Sequence, residues 1–244
     1  MCKIVMSAKL STEFELGSDS LKTNVAGAPL TIGGRILLLA LNYIPGLHAA
    51  AVILLLVIPV ANWWTRWAAA LATLYLIPPI SARTVRWLIP IAEGRIAFGS
   101  KMFFSWWILF QWQCLFNRFP ALEEILRLVP GLYSCWLRLW GGKIGRLTFW
   151  AAGTLILDRS FVEIGNDVAF GAGVRINPHV LAKNENGQQE LLLATVKISD
   201  RAMIGGYSLL TAGTEIVADE ATRAFLVSPP FSIWKNGKRL REQK

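Results

Sequence analysis

The chain has 244 residues, a hydrophobic fraction of 54%, eleven tryptophans and a mean hydropathy of +0.44, more apolar material than an ordinary soluble domain carries. Its formal net charge is +9, but the basic residues border apolar segments. That placement suits anionic lipid headgroups, so a lipid bilayer and not nucleic acid is the expected partner.

Residues 1–32 are polar and mixed in charge, with no apolar core after the first lysine, so they read as a flexible cytoplasmic tail and not as a cleaved signal peptide. Residues 33–100 read as a transmembrane helical hairpin and connector. Within it, 36–61 has no formally charged residue and exceeds the roughly 20 residues needed to cross a bilayer. Pro45 and Pro59 imply a bent helix. His48 lies inside this span and is either functional or buried against a neighbouring helix. Trp63, Trp64, Arg66 and Trp67 mark an interface, and 68–80 is apolar again, with Pro78 and Pro79 near its end. Only Arg66 lies in the turn, whereas Arg83, Arg86, Arg95 and Lys101 follow the second segment. The positive-inside rule therefore puts both ends of the hairpin, and the domain after it, on the cytoplasmic side.

Residues 101–143 read as interfacial amphipathic helices. The stretch 102–116 is aromatic-rich but holds Gln111 and Gln113, which favours a helix lying in the interface over a third short span. Beyond it, Leu122, Leu126, Val129, Leu132, Trp136 and Leu139 recur at helical spacing against Glu123, Glu124, Arg127 and Arg138, with Pro130-Gly131 dividing two short helices. Cys2, Cys114 and Cys135 have no spacing that suggests a disulfide framework or a metal cluster.

From Ile144 to Ala221 the chain keeps a six-residue beat. It runs Ile144, Trp150, Ile156, slips by two residues, and continues at Ile164, Phe170, Ile176. After a longer break it resumes at Ile198, Ile204, Leu210, Ile216. Neither a helix nor a single alternating strand has this period. A coiled parallel sheet does, each hexad forming one short strand and a corner. The fold class expected is thus membrane α plus β: a transmembrane hairpin and interfacial helices, then a short β-helix over 144–221 with an excursion loop at 182–196, and a basic tail over 222–244.

The segments IGNDVAFGAGVRI and ISDRAMIGGYSLLTAGTEI resemble the left-handed parallel β-helix of hexapeptide-repeat acyltransferases. The approach segment CWLRLWGGKIGR, after a membrane segment, is similar to the membrane-bound C-terminal units of poly-lysine-synthetase-type nonribosomal peptide synthetases. The resemblance implies a homotrimer with sites at subunit boundaries, and a donor thioester on coenzyme A or an acyl-carrier protein as co-substrate, with no tightly bound cofactor. The peptide-synthetase likeness adds an aminoacyl or peptidyl group to the donors expected.

It also implies His179 as general base. This histidine sits at the end of the second circuit, where the excursion begins, and a neutral imidazole can take a proton from an amine or hydroxyl acceptor. A base needs an orienting partner, and Asn177, Glu163 and Asn184 are close in sequence, with no spacing that selects one. Gly205 and Gly206 either supply backbone N–H groups to an oxyanion or simply turn a corner. The resemblance places Ser228-Pro229-Pro230 near the donor site. Zinc is not expected, since one histidine in the domain cannot make a three-histidine site. The rival expectation is a non-catalytic β-helix scaffold or accessory subunit in a larger membrane complex. Trp150 and Phe170 favour it, because they stand where such coils usually hold smaller aliphatics.

Overall fold

A computed structural model describes residues 30–59, 61–184 and 187–240. The expected N-terminal tail, apart from its last residues, lies outside them, as does Cys2. Among the described residues six helices come first: α1 (Ile32–Leu41), α2 (Ile44–Val57), α3 (Trp63–Leu88), α4 (Lys101–Arg118), α5 (Ala121–Arg127) and α6 (Leu132–Leu139). Between α3 and α4 lies the short strand β1 (Gly94–Ala97).

Two stretches, Ile32–Val57 and Trp63–Leu88, are long and apolar enough to cross a membrane. The first breaks at Asn42-Tyr43, just before Pro45. Asn42 Oδ1 there accepts from Trp107 Nε1 (3.0 Å) and Gln111 Nε2 (2.9 Å) of α4. His48 is buried against α3, its Nε2 at 3.0 Å from the Thr73 carbonyl oxygen. In α3, Pro79 has no N–H to offer the carbonyl of Tyr75 one turn earlier. Trp136 Nε1 of α6 fills that position at 2.8 Å, and the Tyr75 hydroxyl donates to the Leu122 carbonyl at 2.9 Å. The proline pair thus frees a backbone acceptor that ties the hairpin to the helices after it.

The glutamines that suggest an interfacial α4 have a different role. Gln111 and Gln113 are both buried. One bonds to Asn42, and the other accepts from Arg159 of the β domain. Helix α4 is therefore an inner layer between the hairpin and the β domain, and the amides of Gln111 and Gln113 bond within the protein.

The β domain passes through three parallel sheets in turn. The first stacks β2 (Lys143–Ile144), β5 (Val162–Ile164), β10 (Val196–Ile198), β13 (Glu215–Ile216) and β15 (Ile233–Lys235). The second stacks β3 (Phe149–Trp150), β6 (Ala169–Phe170) and β11 (Met203–Ile204). The third stacks β4 (Leu155–Ile156), β7 (Arg175–Asn177), β12 (Leu209–Thr211) and β14 (Val227–Ser228). Register follows the six-residue beat: Ile144, Ile164, Ile198, Ile216 and Trp234 form one column, and Ile156, Ile176, Leu210 and Ser228 another. Trp150 and Phe170 stack face to face, centroids 4.7 Å apart, at the base of the prism. The large indole fits because it closes the open end, where Ser134 of α6 accepts its Nε1–H at 3.0 Å.

Two boundaries differ from expectation. The coil does not stop at Ala221. Strands β14 and β15 complete a further circuit, and β16 (Lys238–Leu240) folds back on β15. Ser228 and Trp234 hold inward positions that aliphatics hold elsewhere, which hides this circuit from a hydrophobic pattern. Trp234 Nε1 and Thr214 Oγ1 satisfy the buried Ser228 hydroxyl at 2.9 Å each. So Ser228 is an internal plug, and the basic segment 222–240 is ordered strand and turn.

The excursion is not an open loop either. β8 (His179–Lys183) and β9 (Gln189–Leu193) form an antiparallel hairpin whose far edge pairs with β1. Arg95 pairs with Glu190, and both oxygens of Glu93 take donors from Thr195. The connector after the helical hairpin is thus stitched to the excursion of the same chain.

Adjacent circuits approach so closely that only glycine fits at some corners. A Cβ on Gly165 would lie 2.3 Å from Asp200 Oδ1 and 2.6 Å from the Asp200 amide nitrogen. Gly165→Val is expected to lower stability by about 2–3 kcal/mol, read as a reduced midpoint in denaturant unfolding. Gly33→Ala, in a helix with nothing within 4 Å of the added carbon, does not lower it.

Candidate active site

The two-residue slip in the beat adds length to the corner between β4 and β5, which runs Leu157-Asp158-Arg159-Ser160-Phe161. Asp158 and Arg159 are both fully buried. A buried ion without a partner costs several kcal/mol, so each must be met from outside the coil. They are met on different sides.

Arg159 turns to the helices. Glu123 of α5 accepts from its Nε and Nη2, Gln113 of α4 accepts from its backbone N–H (2.8 Å) and Nη1 (3.1 Å), and Asn117 takes Nη2 at 2.9 Å. The Tyr133 hydroxyl donates to the other Glu123 oxygen at 2.6 Å. Burial first, then the Glu123 charge, push the Tyr133 phenol far above its ordinary range, so it stays a neutral donor. Ser160 is held on both sides: its hydroxyl donates to the Trp140 carbonyl (2.6 Å), and its carbonyl accepts from Arg86 Nη1 (3.0 Å).

Asp158 turns to His179, one circuit later on the same edge of the prism. Its Oδ1 accepts from Trp106 Nε1 at 3.0 Å, and its Oδ2 bonds to His179 Nδ1. A carboxylate is an acceptor only, so Nδ1 carries the proton, and in the neutral ring Nε2 holds the lone pair. Nε2 has no hydrogen-bond partner among the described residues. Trp106 and Phe110 of α4 hold the ring edgewise, centroids 4.9 and 5.4 Å away, and the side chain is 15% exposed. Burial pulls the imidazole pKa down, but the charge and hydrogen bond of Asp158 outweigh it and leave the pKa above 6.5. The arrangement is an oriented imidazole with one lone pair on offer, the geometry of a general base.

The other candidates fall elsewhere. Glu163 faces outward on β5 and pairs with Lys143 Nζ at 2.6 Å. Asn184 closes the excursion hairpin, its backbone N–H donating to the Gln188 carbonyl and its Oδ1 accepting the Gln188 N–H, both at 2.9 Å. Asn177 is two residues from His179, but its Oδ1 is buried without a partner, and it pairs along the ladder with Thr211. Gly205 and Gly206 turn the edge between the second and third sheets, whereas His179 and Asp158 lie on the edge between the third and the first. The Gly205 N–H donates to Thr222 Oγ1 at 3.0 Å, and a Cβ there would lie 2.4 Å from the Arg223 carbonyl. Gly205 is therefore required for close packing of circuits, with its N–H already taken. Among the described residues no group of three or more His, Cys, Asp or Glu is arranged to hold a metal ion.

Sequence reasoning missed Asp158, Trp106 and Phe110. The one available signal was the slip itself, because extra residues in a regular coil must leave the column and go somewhere.

No protein-family model and no curated protein matches the chain. Among solved structures, a hexapeptide-repeat-containing acetyltransferase from Vibrio cholerae is similar at 16% identity and a TM-score of 0.36, over 54% of this chain and 92% of that one. A structure of such an acetyltransferase from Vibrio cholerae O1 biovar eltor, complexed with acetyl coenzyme A, is similar at 19% identity and a TM-score of 0.38, over 55% and 90%. Likeness of this depth carries no argument about the activity of the present chain.

The dyad makes a pH prediction. A base acts in its neutral form, so activity should rise with pH through a midpoint above 6.5. Asp158→Asn removes the raising charge and leaves burial, so the midpoint moves to lower pH while the rate falls. Imidazole titration by NMR on both proteins checks this. Because the folded pKa is raised, the dyad's contribution to stability is full below the unfolded value near 6.5 and is lost as pH rises through the folded value. In Asp158→Asn burial alone acts and lowers the folded value, so the sign reverses and the histidine's contribution to stability rises with pH.

Proposed function

We propose that this chain is a membrane-bound acyltransferase, with a left-handed β-helix on the cytoplasmic side of a bilayer and His179 as general base. The observation that carries the reading is the imidazole fixed by a buried carboxylate with Nε2 unbonded. Nε2 takes the proton from an amine or hydroxyl acceptor as the acceptor attacks the carbonyl carbon of a thioester on coenzyme A or a carrier protein. The tetrahedral intermediate collapses with loss of the thiolate, which takes the proton back from the imidazolium. The products are an amide or ester and a free thiol. Asp158 positions the ring and stabilises its charged form, as an orienting carboxylate does. An aminoacyl or peptidyl donor fits the same chemistry.

Exposed Leu39, Leu47, Ile53, Val57, Trp64 and Leu71 support burial of the helical hairpin in lipid. A homotrimer is supported by the outer faces of the prism. The first sheet presents a charged ladder, Lys143–Glu163 and Lys197–Glu215. The other two present Met203 and Val227, with Tyr207 and Phe225 stacked 5.4 Å apart on the edge between them. Exposed apolar surface of that kind favours self-association.

His179→Ala is expected to cut acyl transfer by about 10²–10⁴-fold with unchanged oligomeric state, while the thermal midpoint falls because the buried Asp158 loses a hydrogen-bond partner. The assay follows thiol release from acyl coenzyme A or acyl-carrier protein with amine and hydroxyl acceptors. Unchanged transfer would favour the scaffold or accessory-subunit reading.

A further inference from the structure

A cavity of about 560 Å³ opens where α6 meets the first circuit, and neither Asp158 nor His179 lines it. We propose that it binds an anionic membrane phospholipid, with the phosphate on Arg138 and Arg146 and an acyl chain across Leu147 and Phe149. The inference rests on the membrane-bound reading above, and concerns a site separate from the dyad.

Charge is the first argument. The lining holds Arg127, Arg138 and Arg146 and no Asp or Glu. Arg127 is balanced by Glu123 and Glu124. Arg138 and Arg146 have no carboxylate partner among the described residues. Arg138 is pinned, its Nε and Nη2 donating to the Ile144 (2.9 Å) and Gly145 (2.8 Å) carbonyls. A fixed guanidinium beside a second one, neither met by a carboxylate, suits a phosphate.

The rim is the second. Leu147 has φ of +54° and is 82% exposed. The equivalent corner in the other circuits carries Asp167, Arg201 and Asp219, all with positive φ. Only the first circuit, nearest the helices, puts a large apolar side chain there. Phe149, two residues on, is 65% exposed and continues the apolar rim.

Continuity is the third. Exposed Ile125, Leu128, Val129 and Leu132 extend the apolar surface from the rim along α5 and α6, as an interfacial face does. The volume is that of a drug-sized site, far beyond what a lone phosphate fills.

The test uses the full chain in neutral detergent, with headgroup-labelled phosphatidylglycerol or phosphatidylcholine in mixed micelles. Wild-type protein is expected to retain phosphatidylglycerol about tenfold better, even in excess inorganic phosphate. Arg146→Glu reduces retention to the phosphatidylcholine level. Equal retention of the two lipids, an unaffected Arg146→Glu variant, or displacement by inorganic phosphate would overturn the proposal, the last by assigning the cavity to a soluble phosphate. If Arg146→Glu fails to fold, maleimide labelling of Cys135, which lines the cavity and is exposed, decides in a Cys2→Ser, Cys114→Ser background. Protection by phosphatidylglycerol but not phosphatidylcholine supports the site, and equal labelling sinks it. Carbonate extraction from phosphatidylcholine vesicles tests the membrane-bound reading separately, since release of the protein would defeat that reading whatever the lipid selectivity in detergent.

Discussion

Two opposite charges, adjacent in sequence and both shut off from water, govern this structure. Asp158 and Arg159 occupy a corner that the repeat lengthens by two residues. Neither can be buried alone. Arg159 draws Glu123 and Gln113 from the helices, and Asp158 draws Trp106 and His179. The same corner therefore joins the helical layer to the prism and fixes the imidazole. Removing either charge from the pair would leave its partners unsatisfied in a place without solvent, so attachment of the helices and orientation of the imidazole share one set of contacts.

This explains the order of layers. A β-coil has open ends and three plain faces, and nothing in its repeat selects a place for helices. The selection comes from where the regular pattern fails. At the lengthened corner the helices supply counter-charges. At the base, Trp150 reaches Ser134, and on α3 the proline pair offers the Tyr75 carbonyl to Trp136. At the excursion, β8 and β9 recruit β1 from the connector. Each departure from regularity is a point of attachment.

The coil was legible in the sequence because inward aliphatics recur every six residues. Its last circuit was not, because Ser228 and Trp234 carry inward positions through hydrogen bonds in place of aliphatic packing. His179 stood out as the domain's one histidine at the foot of the excursion. Its partner did not, since Asp158 is 21 residues away and the two meet only through stacking of circuits. Glu163 and Asn184 were closer in sequence but were spent on a surface ladder and a hairpin turn. Gln111 and Gln113 resemble marks of an interface because a sequence does not show whether an amide faces water or a buried partner. The pairing of β1 with β9 joins residues about a hundred apart through a four-residue strand, too short to show a period.

The central claim is that His179 Nε2 receives the acceptor's proton. It is tested most directly by a high-resolution structure of the full chain in lipid with a non-hydrolysable thioester analogue and an amine or hydroxyl acceptor. The account predicts the acceptor atom within hydrogen-bonding reach of Nε2 and about 3–3.5 Å from the carbonyl carbon. An analogue bound on another edge of the prism, with Nε2 still packed against Trp106 and Phe110 and touching no reactant, would contradict it.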